Sequence, residues 1–304
     1  MNRENALIPT REELLNQLML TIQTSWKEEI LLKDIELWLS NFNGEILEMD
    51  YERNLALLLL NNFVYYNLKE VRHLCKTIFG KLLHYVLANE EKDINNSFQE
   101  FIEETRFCYL GNDSESGSLV SMFFRQSNKL ANENFLEDKK NVNNSIKRIV
   151  FVDDVTLSGE QFLRYLRKSK IDLNERESFL LTFFSTPDSM TIIEKKINKV
   201  ITATILDERN KIFSEKSVMF HGIEHVKNDC EKLAMHYGLK IEDKIPLGWG
   251  NGQYAFGFFY NVPDNVLPIF WSESNNWKPI MKRFHKKYDI KEAKRSYERF
   301  GKFI

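Results

Sequence analysis

Apolar positions in the first hundred residues recur three and four apart. They do so in "REELLNQLMLTIQTSWKEEI", in "KDIELWLSNF" and in "YERNLALLLLNNFVYYNLKEVRHLCKTIFGKLLHYVL", the period of helices with one buried face. Asn43 and Gly44 punctuate this region, and almost no other glycine or proline interrupts it. The polar stretch Asn89 to Asn96 is a candidate linker. The apolar faces are wide, so these helices are expected to pack on the rest of the chain, with Trp26, Trp38 and Phe42 buried.

From about residue 105 the pattern changes. "RFCYLG", "RIVFVDD", "ESFLLTFFS" and "VITATILDE" are short apolar runs with the length of strands. Between them lie the helical patterns "LVSMFFRQSNKL", "EQFLRYLRKSK" and "DSMTIIEKKINK". Strands alternating with helices predict an α/β fold with a parallel sheet and crossover helices. In such sheets a ligand sits beyond the carboxyl ends of the strands. After Gly238 the chain is dense in glycine, proline, asparagine and aromatics, and "PLGWGNGQYAFGFFYNVPDNVLPIFW" reads as loops and short strands forming core or lid. The expected organisation is a helical domain over 1–104, a core over 105–285 and a basic tail over 286–304.

Composition narrows the classes. With 43% hydrophobic and 28% charged residues the chain reads as globular rather than disordered, and a net charge of −2 gives no global attraction to nucleic acid or membrane. The longest apolar run, Leu55 to Leu60, is far too short to span a bilayer. Met1 to Glu13 is too polar for a secretory leader, and Cys75, Cys108 and Cys230 are scattered, so a reduced cytoplasmic protein is expected. The segment from Lys278 onward carries ten Lys or Arg against three acidic residues, with Phe284, Tyr288, Phe300 and Phe303 interleaved. That pattern suits a solvated helix face or an RNA or DNA strand.

Candidate chemistry centres on "KRIVFVDDVTLSGEQFLRYL". An apolar strand runs into Asp153 and Asp154, and a Ser-Gly turn then starts a helix. Two readings of the turn stay open. Ser158 and Gln161 have capping-box spacing, and the aspartates would add favourable charge near a helix start. Alternatively, the helix N-terminus and Gly159 would hold a phosphate, while the two carboxylates accept from neighbouring hydroxyls. A ribose 5-phosphate carries both groups.

The residues "IVFVDDVTLSGEQF" resemble the PRPP-binding signature of type I phosphoribosyltransferases. The resemblance implies that Asp153 and Asp154 hold the ribose hydroxyls, and that Leu157, Ser158, Gly159, Glu160 and Gln161 form the phosphate loop. Glu160 and Gln161 depart from the family pattern, which has a glycine and a hydroxyl residue there. "ESGSLVSMFFRQSN", the helical "DIELWLSNF" and the Asn261 to Trp271 stretch extend the resemblance to phosphoribosyltransferase-like proteins of bacterial anti-phage conflict systems (PRTase-CE type, as in some retron operons). It implies a type I phosphoribosyltransferase-like core, PRPP or a related nucleotide as ligand, and Mg²⁺ on the pyrophosphate if the protein is catalytic. Chemistry would then be transfer or cleavage at ribose C1. A reverse transcriptase or another defence-operon protein is an expected partner, and the basic tail would meet retron RNA or DNA. A non-catalytic sensor or nucleic-acid dock with a degenerate pocket is the alternative.

Other residues are weighed beside these. Gly111 and Asn112, with Ser116 and Gly117, follow the first core strand where the resembled fold holds pyrophosphate; a surface loop is equally expected. Thr186-Pro187-Asp188 reads as a helix start. Asp207 and Glu208 end a strand and could hold a metal or a ring nitrogen. His221, His225, Cys230 and His236 lack the paired spacing of a zinc site, and no metal ligands are assigned. Trp271 over a base is a secondary option.

Overall fold

The computed structural model describes residues 9–27, 30–88, 94–110, 116–136, 142–169, 171–220, 223–281 and 283. Four parallel strands form the central sheet in the order β2-β3-β4-β5. They are β2 (Thr105–Tyr109), β3 (Arg148–Thr156), β4 (Glu177–Ser185) and β5 (Lys199–Ile205). The helices α6 (Ser116–Ser127), α7 (Glu160–Ser169) and α8 (Pro187–Ile193) fall between them in sequence. The alternation read from the sequence is therefore correct, although α8 stops well short of Lys199.

Period-two alternation in β3 separates two cores. Val150 and Val152 face a large cluster with Val71, Cys75, Ile78 and Leu82 of α4 (Leu68–Leu87) and with Val120 and Phe124 of α6. Ile149 and Phe151 face a smaller one with Phe162 of α7 and Ile193 of α8. Both faces of the sheet are covered, which is why its strands read as continuous apolar runs.

The N-terminal helices are α1 (Arg11–Thr21), α2 (Leu32–Leu39) and α3 (Met49–Asn61), with one π-helical turn, Ile22–Trp26, extending α1. Local chemistry sets their starts. Thr10 and Glu13 form a reciprocal capping box at α1, and Asn67 and Glu70 form another at α4. Their apolar faces join the same large cluster as the sheet. Trp26, Trp38 and Phe42 are all at most 2% exposed, as the width of the apolar faces predicted. Trp38 Nε1 donates to the Ile269 carbonyl at 2.8 Å, and Phe42 packs edge-on against Trp277 at 5.3 Å. These helices thus close over the aromatic C-terminal stretch, along with α9 (Glu224–Ile241), which packs on α3.

Three local expectations need correction. The long helical pattern from Tyr51 to Leu87 is broken by β1 (Val64–Tyr66), which pairs in parallel with β6 (Phe256–Phe258). The Val-Tyr-Tyr triplet is β-prone, and its partner lies almost two hundred residues away, so periodicity could not reveal it. The stretch 89–96 is not all linker, because α5 (Ile94–Glu103) starts within it. The Asp pair does not end its strand, because β3 runs on to Thr156. Among the described residues no helix is long and apolar enough to cross a membrane.

Candidate functional site

The carboxyl ends of β3, β4 and β5 open onto a cleft of about 340 Å³. Leu157 and Ser158 line it after β3, Thr186, Pro187 and Asp188 after β4, and Asp207 and Glu208 after β5. The opposite wall comes from the glycine-rich loop, with Trp249, Gly250, Gly252, Tyr254 and Asn265. This is the sheet edge where α/β folds bind ligands. A larger groove, about 1050 Å³, runs along α4, with Tyr66 and Phe259 in its lining.

The turn joining β3 to α7 is built around Gly159, whose φ is +74°. A side chain there would be strained, and its Cβ would sit 3.2 Å from Ile193 Cγ1. Ser158 Oγ accepts from the Glu160 backbone N–H at 3.4 Å. It thus serves the residue two positions on, rather than Gln161 three positions on as the capping-box reading expected. Glu160 and Gln161 are exposed, so the Glu160 carboxylate has solvent to turn into. Two buried hydroxyls flank the turn, Thr156 Oγ1 and Ser189 Oγ, and neither has a hydrogen-bond partner among the described residues.

Asp153 and Asp154 lie beneath this turn, 4% and 8% exposed. Asp154 Oδ1 accepts from the Val155 N–H at 2.8 Å, and Asp154 Oδ2 accepts from the Tyr260 hydroxyl at 3.3 Å. Burial pushes the Tyr260 phenol well above its ordinary pKa, and the carboxylates of Asp154 and Asp153 push it in the same direction. Tyr260 therefore stays a protonated donor. It stacks on Phe258 at 5.3 Å, which ties it to β6. The structure brings Leu157, Ser158 and the Gly159 turn to the cleft and sets the acidic pair in the core under an aromatic cover. Gly111 and Asn112 lie outside the described residues. Gly117 is placed by contact, since a Cβ there would meet the Leu110 carbonyl oxygen at 2.2 Å.

The remaining candidates have structural engagements. Thr186 Oγ1 accepts from the Ser189 N–H with Pro187 in the first turn, so this segment starts a helix as expected. Arg209 holds Asp207 through two nitrogens, and its hydrogen bonds lower the Asp207 carboxyl to about 2. Lys211 pairs with Glu208 at 2.7 Å. His236 meets Glu45 at 3.0 Å, and Cys230 is buried in the core. His221 lies outside the described residues. Trp271 is core: its Nε1 donates to the Val266 carbonyl at 3.0 Å, and Arg283 stacks on its ring at 4.4 Å. That stacking removes Arg283 from the free charges of the tail, whose residues 284–304 lie outside the described ones. Tyr260 and the glycine-rich wall were missed by sequence reasoning, because their sequence separation from the Asp-Asp turn hides the contact.

The profile of the PRTase-CE family matches residues 35–283. The chain belongs to this phosphoribosyltransferase-like family. Among solved structures it is similar to Helicobacter pylori xanthine-guanine-hypoxanthine phosphoribosyltransferase at 13% identity and a TM-score of 0.30. The match covers 47% of this chain and 89% of that one. Comparison with curated proteins finds no match.

Proposed function

We propose that the cleft at the strand ends binds PRPP or a related nucleotide, and that the protein is a phosphoribosyltransferase-like effector or regulator in a bacterial anti-phage system. The observation that carries the ligand reading is the Leu157–Gly159 turn. A left-handed glycine precedes the first turn of α7, and Leu157 and Ser158 open onto the cleft. There the backbone N–H groups of α7 would meet the 5-phosphate. Family membership and the Asn261 to Trp271 stretch support the defence role, with a reverse transcriptase or another protein of the same operon as partner. Three cysteines that are all free thiols suit a cytoplasmic setting.

If the protein is catalytic, the bond from ribose C1 to pyrophosphate breaks, and C1 bonds to an acceptor base or to water. Mg²⁺ would neutralise the departing pyrophosphate. The cleft offers Asp188, Asp207 and Glu208, of which the last two already face Arg209 and Lys211. No group of three potential metal-binding side chains occurs among the described residues. The cation would thus be held mainly by the ligand's own phosphates.

Calorimetric titration of PRPP and ribose 5-phosphate with Mg²⁺ tests the reading. Ser158→Glu puts a negative charge on an exposed position of the cleft and should weaken binding at least tenfold without unfolding the protein. Gly159→Val should abolish binding. Absence of binding to the wild type at millimolar ligand would overturn the proposal. Phage plating on cells carrying the operon with wild type or Ser158→Glu tests the defence role; equal protection would count against it.

A second reading, a non-catalytic sensor, is favoured by one contact. The Tyr260 hydroxyl already stands at the Asp154 carboxylate, where the resemblance puts a ribose hydroxyl. Binding of PRPP with no release of pyrophosphate would select it.

A further inference from the structure

The groove along α4 shares no lining residue with the cleft and has a different chemistry. Its rim is cationic: Lys27 enters from the end of the π-helical turn, and Lys69, Arg72 and Lys76 from α4. Positions 69, 72 and 76 fall on one face of the helix, and the three side chains rise from exposed positions. None of these four cations has an ion-pair partner among the described residues. The acidic residue of the lining, Glu70, is committed to its capping box with Asn67. The floor is aromatic, with Tyr66 and Phe259 both half-buried.

Tyr66 is fixed from below by Phe184 at 5.2 Å, and Phe259 by Phe123 at 5.4 Å. The platform is therefore rigid. Lys27 is held at a φ of +57° by the hydrogen bond from its N–H to the Ile22 carbonyl at 2.7 Å.

We infer that this groove binds a single-stranded nucleic acid, with phosphates on the Lys69, Arg72 and Lys76 stripe and a base against Phe259. Three features select this occupant. The exposed cations repeat along a helix at one turn each, roughly 5 Å apart, which suits successive phosphates better than one compact anion. The aromatic floor offers π-faces to unpaired bases, whereas a duplex keeps its bases stacked internally. The site is an open groove of about 1050 Å³ rather than an enclosed pocket, and so leaves a chain free to enter and leave at both ends. The inference does not rest on the cleft reading, and the basic tail is a separate segment.

Fluorescence anisotropy of the full chain with a labelled oligothymidine, titrated across salt concentrations, tests it. The tail is kept intact throughout. The triple variant Lys69→Gln, Arg72→Gln, Lys76→Gln changes exposed positions and should melt with the wild type. Its log–log salt slope should be shallower by about 2, at about 0.7 per lost contact, and its affinity in 0.1 M salt should fall about 100-fold. Phe259→Leu should weaken oligothymidine binding about tenfold and leave inorganic polyphosphate binding unchanged. The inference is overturned by a wild type that does not bind, by an unchanged slope in the triple variant, or by tighter binding to duplex than to single strand. It is also overturned if Phe259→Leu has no effect while the triple variant loses oligonucleotide and polyphosphate alike, since the groove would then be a general polyanion patch.

Discussion

Two buried carboxylates, Glu52 and Asp154, each face a tyrosine hydroxyl, yet their settings differ. Glu52 is fully buried on α3. Its Oε2 accepts from the Tyr237 hydroxyl at 2.6 Å and from the Gly44 N–H at 2.8 Å, and its Oε1 accepts from the N–H groups of Ile46 and Leu47 at 2.9 and 3.1 Å. Burial pushes the Glu52 carboxyl up. The hydrogen bonds from Tyr237 and from the Ile46, Leu47 and Gly44 backbone outweigh it and leave the group below its ordinary value. This is an anion stitched into a loop, and its work is structural. Asp154 lies beneath the Leu157–Gly159 turn under an aromatic cover, and its tyrosine contact is long, 3.3 Å. A tight tyrosine bond fastens α9 to the N-terminal helices; a long one leaves room for exchange with another hydroxyl. The comparison teaches that burial alone does not make two acids alike: the length of the tyrosine bond separates them.

The largest expected effect is on stability. Glu52→Gln should cost about 3–4 kcal/mol in denaturant unfolding, roughly 1 kcal/mol for each bond that loses its charge assistance. A cost under about 1 kcal/mol would erase the distinction between the two acids. Next comes ligand affinity. Asp153→Asn with Asp154→Asn should weaken PRPP binding by about 2–3 kcal/mol in calorimetry while changing stability by no more than about 1 kcal/mol. Unchanged affinity with a large loss of stability would make the pair a second structural anchor.

The tyrosines sharpen the contrast. Tyr237→Phe should cost about 2 kcal/mol, because a bond to a buried charge is lost; Tyr260→Phe should cost less than about 1 kcal/mol. Equal costs in parallel unfolding curves would show that the difference in length carries no energy. The smallest effect is in pH dependence. The Glu52 pKa is lowered on folding, so its contribution is present above the ordinary value of 4.5 and lost as pH falls through the lower folded value. Glu52→Gln should therefore flatten the acid limb of the stability profile below about pH 4.5; an unaltered limb would assign acid unfolding to other carboxylates.

Much of the fold was legible in the chain. The runs Phe107 to Tyr109, Ile149 to Val152 and Phe179 to Phe184 are apolar on both faces because helices cover both sides of the sheet, and that alone indicates a parallel sheet. The Asp-Asp and Ser-Gly sequence marked the turn that reaches the cleft. What could not be read was pairing across distance. Val64 to Tyr66 looks like more helix until Phe256 to Phe258 is beside it. Asp153 and Asp154 look like a strand end facing a helix start until the turn holding Tyr260 closes over them. The basic stripe of α4 looks like an ordinary solvated face until Phe259 supplies its floor.

The sequence by itself determined whatever depends on neighbours within a few residues. Caps at Thr10, Asn67 and Thr186, the left-handed glycine before α7 and the alternation within β3 are set by backbone sterics and local hydrogen bonding, which act over one or two turns of chain. Only the tertiary structure decided which acid is stitched into a loop and which lies under an aromatic cover, and which cations share a groove with an aromatic floor. Burial, charge pairing and stacking depend on distance in space, and the residues that supply them, such as Tyr237 for Glu52 and Tyr260 for Asp154, come from segments about a hundred residues or more away in the chain.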